Sequence, residues 1–165
     1  MMVGCGSTNS SETTKLSESE LHDKLEEVYT QICTAYEDAD ELATRIHTGW
    51  DDHDSFIDHA FDSDFYYSKK SYFNADYQNE VETVYKLMDT VGSEVSKAKE
   101  MLKEYSDYSD DSYYQALKEM YLAVESYSEF ATDFPEGYSL MTHSSKIIET
   151  RSEFTDLKNN AEFEK

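Results

Sequence analysis

The residues best suited to chemistry lie in one stretch, Trp50 to Asp64, which carries six aspartates and two histidines, with no lysine or arginine before Lys69. Carboxylate oxygens and imidazole nitrogens together suit a divalent cation. On a continuous helix Asp54, Asp58 and Asp62 would share a face at i, i+4 and i+8, with His59 beside Asp62 at i+3. These four are the metal-ligand candidates. Other spacings argue against a metal. His53 and His59 are six apart and point to different sides, no His-Glu-x-x-His occurs, and Asp62-Ser63-Asp64 lacks the third acid and the glycine of a calcium loop. The simpler reading is a solvated acidic face opposite an apolar stripe of Phe56, Ile57 and Phe61.

Other chemistries find less support. A di-iron bundle needs Glu and Glu-x-x-His on facing helices, whereas here His22 is followed by Glu26 at i+4 and His143 precedes Glu149 by six. No Gly-x-Ser-x-Gly and no glycine-rich phosphate loop is present. No cofactor and no enzymatic activity are expected. Cys33 has Tyr29, Tyr36 and Glu37 as helical neighbours, none of which activates a thiol, and reads as a small semi-buried residue.

Tyrosine is the unusual count, at 14, beside 8 Phe and a single Trp. Some tyrosines fall on core seams. Trp50, Tyr66, Tyr67, Tyr72, Tyr108, Tyr113 and Tyr114 fall near turns and form the candidate interaction surface, because aromatics dominate binding hot spots. The bland alternative is that the rings bridge core and solvent in a thin bundle.

Charge narrows the partners. Lys+Arg number 14 against 36 Asp+Glu, a net charge of −22. That argues against a nucleic-acid binder, which needs a basic stripe, and against electrostatic docking on anionic lipid. With 38% hydrophobic and 14% aromatic residues the chain can still build a core, and its 165 residues fit one domain. One Pro and five Gly favour long helices. No apolar run approaches the roughly 20 residues of a bilayer span.

At the amino end, Met2-Val3-Gly4-Cys5-Gly6-Ser7 resembles the lipobox of bacterial lipoproteins of Gram-positive type, with small or apolar residues before the cysteine and Gly-Ser after it. Met2 stands where leucine is commonest, and no basic segment or apolar core of a signal peptide precedes it, as expected of a chain trimmed near its processing site or started late. The resemblance implies lipid on Cys5 and an extracytoplasmic address at the cell membrane. Gly6 to Ser19 is polar, with Leu16 its one large apolar residue, and reads as a flexible tether. About ten such residues reach at most roughly 33 Å.

The elements that must position all this follow from periodicity. Leu21, Leu25, Val28, Ile32, Ala35, Ala39, Leu42 and Ile46 step by alternating 4 and 3, an unbroken heptad seam. Ser17 with Glu20 makes a capping box and Gly49 a stop, so a helix is predicted over 18–48. A second seam runs Tyr77, Val81, Val84, Met88, Val91, Val95, Ala98, Leu102, Tyr105, with Gly92 inside it. Between the two lie a short helix predicted near 52–67 and an aromatic link through Tyr66, Tyr67, Tyr72 and Phe73. After the polar break 106–112, Ser109 or Asp110 caps a third helix through Leu117, Met120 or Tyr121, Val124, Tyr127 and Ala131. Asp133-Phe134-Pro135-Glu136-Gly137 turns the chain into a fourth helix with Leu140, Ser144, Ile147, Ile148, Phe154 and Leu157, interrupted by Arg151.

The sequence therefore predicts an all-α, antiparallel up-down bundle of about four helices over residues 18–165, with a short helix and aromatic link inserted between the first two, behind a 1–17 tether. The functional expectation is a surface-anchored, non-enzymatic binding or interaction module for an unknown protein or small ligand. Two alternatives stand beside it: a cytosolic acidic decoy for a basic protein surface, and divalent-cation binding through Asp54, Asp58, His59 and Asp62.

Overall fold

A computed structural model describes residues 15–133 and 137–165. Met2–Ser7, with Cys5, and the Phe134–Glu136 part of the turn lie outside the described residues. Among the described residues six α-helices follow in order: α1 (Glu18–Asp52), α2 (Phe56–Phe61), α3 (Ser63–Lys69), α4 (Ala75–Glu104), α5 (Ser112–Thr132) and α6 (Leu140–Glu164), with short 3-10 turns at Lys70–Tyr72 and Ser106–Tyr108. Among the described residues there is no strand.

The four long helices form an up-down-up-down bundle organised around α1. Cross-helix partners set the directions. Gln31 meets Glu94, and Arg45 meets Glu80, so α4 runs antiparallel to α1. Tyr29 meets Glu162 and Asp40 meets Arg151, so α6 is antiparallel as well. Tyr113 reaches Glu26 and Tyr127 reaches Asp40, which makes α5 the parallel, diagonal neighbour. All three pack directly on α1. The α1 seam predicted from spacing is buried throughout, and Ala43 joins Ala35 and Ala39 as a third small residue that lets neighbouring axes approach.

Local chemistry fixes the helix ends. The Ser17–Glu20 capping box forms, with the Glu20 N–H donating to Ser17 Oγ and the Ser17 N–H donating to Glu20 Oε2. Asn74 caps α4 through the Tyr77 N–H at 2.9 Å. For α5 the cap is Asp111, not Ser109 or Asp110: the 3-10 turn at 106–108 carries the chain further before a side chain can accept the Tyr114 N–H, at 2.9 Å.

Three other expectations need correction. Gly49 does not stop α1, which continues to Asp52; the glycine is buried because the tip of the Phe56 ring lies where a Cβ would project, 2.5 Å from it. The inserted helix is two helices. Asp62, extended at φ −128° and ψ 90°, ends α2 and caps α3 by accepting the Phe65 N–H at 2.9 Å. In α6 the buried stripe is His143, Ile147, Thr150, Phe154 and Ala161, while Ile148 is 65% exposed. Arg151 does not interrupt that stripe. It lies beside it and grips the Asp40 carboxylate with two N–H groups, at 2.8 and 2.9 Å. Elsewhere Met120 and Tyr121 are both buried, and Met88 and Tyr105 are only half-buried.

The two helical glycines should respond to alanine with opposite signs. Gly92 meets nothing within 4 Å of an added Cβ, so Gly92→Ala is expected to stabilise by about 0.5–1 kcal/mol through helix propensity. Gly49→Ala drives a methyl into a fully buried Phe56 ring and should destabilise by about 1–3 kcal/mol. Thermal melts followed by circular dichroism read both, and a stabilised Gly49→Ala protein would contradict the packing.

Candidate functional site

The stretch between α1 and α4 is a cap of aromatic rings closed around one imidazole. His59 is 3% exposed and its Nδ1 shares a 2.5 Å hydrogen bond with the Tyr77 hydroxyl. The Tyr85 hydroxyl donates to the His59 carbonyl. Phe65, Phe73, Tyr66 and Tyr77 surround the imidazole with ring centroids 4.7–6.1 Å away. Burial holds the His59 pKa below its ordinary value, which disfavours the charged imidazolium.

This placement separates the four metal-ligand candidates. Asp54, Asp58 and Asp62 face solvent while His59 points inward with Phe56 and Ala60. The break at Asp62 also ends the helical repeat that would have aligned the aspartates. Among the described residues no three His, Cys, Asp or Glu side chains come together in a group able to hold a metal ion.

The candidate interaction surface divides between the two ends of the bundle. Trp50, Tyr66, Tyr67 and Tyr72 lie at the α1 C-terminal end. Tyr108, Tyr113 and Tyr114 lie at the other, where the Leu16 N–H donates to Tyr108 and Tyr113 donates to Glu26. Tyr66, Tyr113 and Tyr114 are buried and cannot present a face. Trp50 and Tyr108 are half-buried, leaving Tyr67 (55%) and Tyr72 (84%) well exposed, with Phe65 at the rim. Lys69 sits 4.8 Å over the Phe65 ring and Lys70 5.5 Å over Tyr67, a small basic and aromatic tip on an acidic molecule.

Below this cap lies the concavity with the richest mixture of groups, a cavity of about 450 Å³ between the last turns of α1, the start of α2 and the first turns of α4. Its lining includes Arg45, Asp52, His53, Asp76, Tyr77 and Glu80, with Gly49 and Phe56 behind them. Arg45 is already engaged. Its guanidinium donates to Glu41 at 2.8 Å and to both oxygens of Glu80, at 3.0 and 3.2 Å. The His53 imidazole stands edge-on to Tyr77, centroids 4.8 Å apart at 85°. The acidic stretch thus contributes Asp52 and His53 to a concave site, whereas the metal reading had selected three aspartates that face outward and a histidine buried in the cap. Asp76, Tyr77 and Glu80 come from the next long helix. Their one sequence signal is Arg45, an isolated base among the acids of the α1 C-terminal half.

Two other reactive side chains, Cys33 and His143, pack into the bundle. Burial pushes the Cys33 thiol up, away from the reactive thiolate. His143, fully buried, stacks on His47 with centroids 5.6 Å apart and packs against Phe130 and Trp50.

His143 makes stability depend on pH. Burial, reinforced by His47, pushes its pKa down to about 4, so the unfolded chain, with histidine near 6.5, binds the proton first. The contribution is full above about pH 6.5 and is lost as pH falls toward about 4, by up to roughly 3 kcal/mol. In denaturant unfolding, wild type should lose about 2 kcal/mol of stability relative to His143→Phe between pH 7 and pH 5. A difference independent of pH would mean that His143 titrates in the fold as it does in the unfolded chain.

No protein-family model matches the chain, and neither a curated protein nor a solved structure matches it.

Proposed function

We propose that the protein is a non-enzymatic binding module held at a bacterial membrane surface by lipid on Cys5, with the cavity between α1, α2 and α4 as its ligand site. The observation that carries the reading is the position of that cavity. It opens beside Asp52, while the polar segment leading back to Cys5 enters the bundle at Ser17, at the other end of a helix of 35 residues. At 1.5 Å per residue the two are separated by roughly 50 Å. A lipid tail on Cys5 would supply the membrane affinity that a charge of −22 withholds. The bundle would then hold its cavity and its aromatic tip away from the lipid.

Two measurements test the reading. Expressed from its complete gene in a bacterium and fed a palmitate analogue, the protein should take up label, and Cys5→Ser should abolish it. Label that survives the substitution, or an unlabelled cytosolic protein, overturns the anchor. In a fragment screen by amide NMR, ligand-induced shifts should concentrate at Thr48, Gly49 and Tyr77. Hits confined to the opposite end of the bundle would overturn the assignment of the site.

A further inference from the structure

Granted the proposed role of the cavity as a ligand site, on which the choice rests, the charges of its lining select a ligand class. They do not cancel evenly. Arg45 and Glu80 neutralise each other, and Glu41 takes the remaining face of the guanidinium. An anionic ligand therefore finds no available cation. Asp52 and Asp76 face the same space, one from the last turn of α1 and one from the first turn of α4, and neither forms an ion pair among the described residues. Asp52 and Asp51 sit at the negative end of the α1 dipole, where the last turn holds no basic residue. Carboxylates here repel the helix carbonyls, and a bound cation would relieve that repulsion.

The kind of cation is set by shape. A desolvated metal ion needs several oxygen or nitrogen ligands converging on one point, and no such group of side chains exists among the described residues. An ammonium is less demanding. Its N–H donors can each engage a separate acceptor, and Asp52 and Asp76 provide acceptors from two elements. The walls suit a carbon skeleton too, because the exposed His53 ring presents a surface to which a cationic or aromatic group can pack, with the small exposed part of Tyr77 beside it. A volume of about 450 Å³ falls within the range of small-molecule sites.

We infer that the cavity between α1, α2 and α4 binds a small organic amine, its ammonium held by Asp52 and Asp76 and its carbon skeleton lying against Tyr77 and His53.

The test uses four probes of similar size or simpler charge: phenethylamine, its neutral analogue phenethyl alcohol, its anionic analogue phenylacetate, and magnesium ion. Binding is followed by calorimetry and amide NMR at physiological salt. Phenethylamine should shift the Thr48, Gly49 and Tyr77 amides. Asp52→Asn with Asp76→Asn should weaken it by at least about tenfold, the loss expected when charge-assisted hydrogen bonds are removed. Both aspartates are exposed, so the variant should fold, which circular dichroism checks. Asp107→Asn with Asp110→Asn removes the same charge at the far end and should leave binding unchanged. Equal weakening by the two double variants would show that bulk charge attracts the amine and would overturn the inference. Binding of the alcohol, the anion or magnesium in place of the amine would overturn it while keeping the cavity as a ligand site. Silence of all four probes at these amides would overturn it and count against the cavity reading as well.

Discussion

Everything in this molecule is arranged around a single stripe of aliphatic side chains on α1. From Leu21 to Ile46 the stripe is sealed from solvent, and three helices share it. Each large aliphatic side chain buried on it contributes about 1.5–3 kcal/mol, so the helix gains its stability from its neighbours and not from propensity. Because the middle of the stripe is alanine at 35, 39 and 43, α5 can lie diagonally against α1 as well as beside α4 and α6. A heavier stripe would hold the diagonal pair apart and leave a hole along the bundle axis.

Apolar burial sets that the helices meet, and polar pairs set how. Asp40 accepts from Tyr127 of α5 and from Arg151 of α6, joining three helices at one carboxylate. Arg45 joins two helices, holding Glu41 of its own helix and Glu80 of α4. These groups lie at the edge of the core, where ion pairs keep part of their hydration and contribute modestly. Their geometric demand is stricter than their energy suggests, because two N–H groups of Arg151 reach Asp40 together only when α6 has one axial position.

The sequence was most legible where one periodicity governs many residues. The seams of α1 and α4 and the capping box at Ser17 could be read directly, because a heptad stripe and a hydroxyl three residues before a glutamate have few other solutions. Where one residue serves a distant partner, local pattern misleads. Gly49 looks like a helix stop until Phe56 arrives against it. Arg151 looks like a fault in an apolar face until Asp40 is found opposite. His59 looks like a ligand among aspartates, yet its neighbours in space are Tyr77, Phe65 and Phe73. The cavity was hidden for the same reason: its acids come from Asp52 and from Asp76, in elements that only the intervening cap brings together, and no spacing along the chain records that meeting.

The parallel placement of α5 on α1 also bears on how the chain assembles. Glu26 and Asp40 find Tyr113 and Tyr127 across 87 residues, and Tyr29 finds Glu162 across 133. Contacts this remote in sequence close large loops before they return any stabilisation, which slows folding relative to bundles built from local hairpins. When α4 alone has folded back on α1, the stripe is only partly covered. Until α5 and α6 have docked, the first helix carries an exposed apolar edge, the surface on which a second unfolded chain would act.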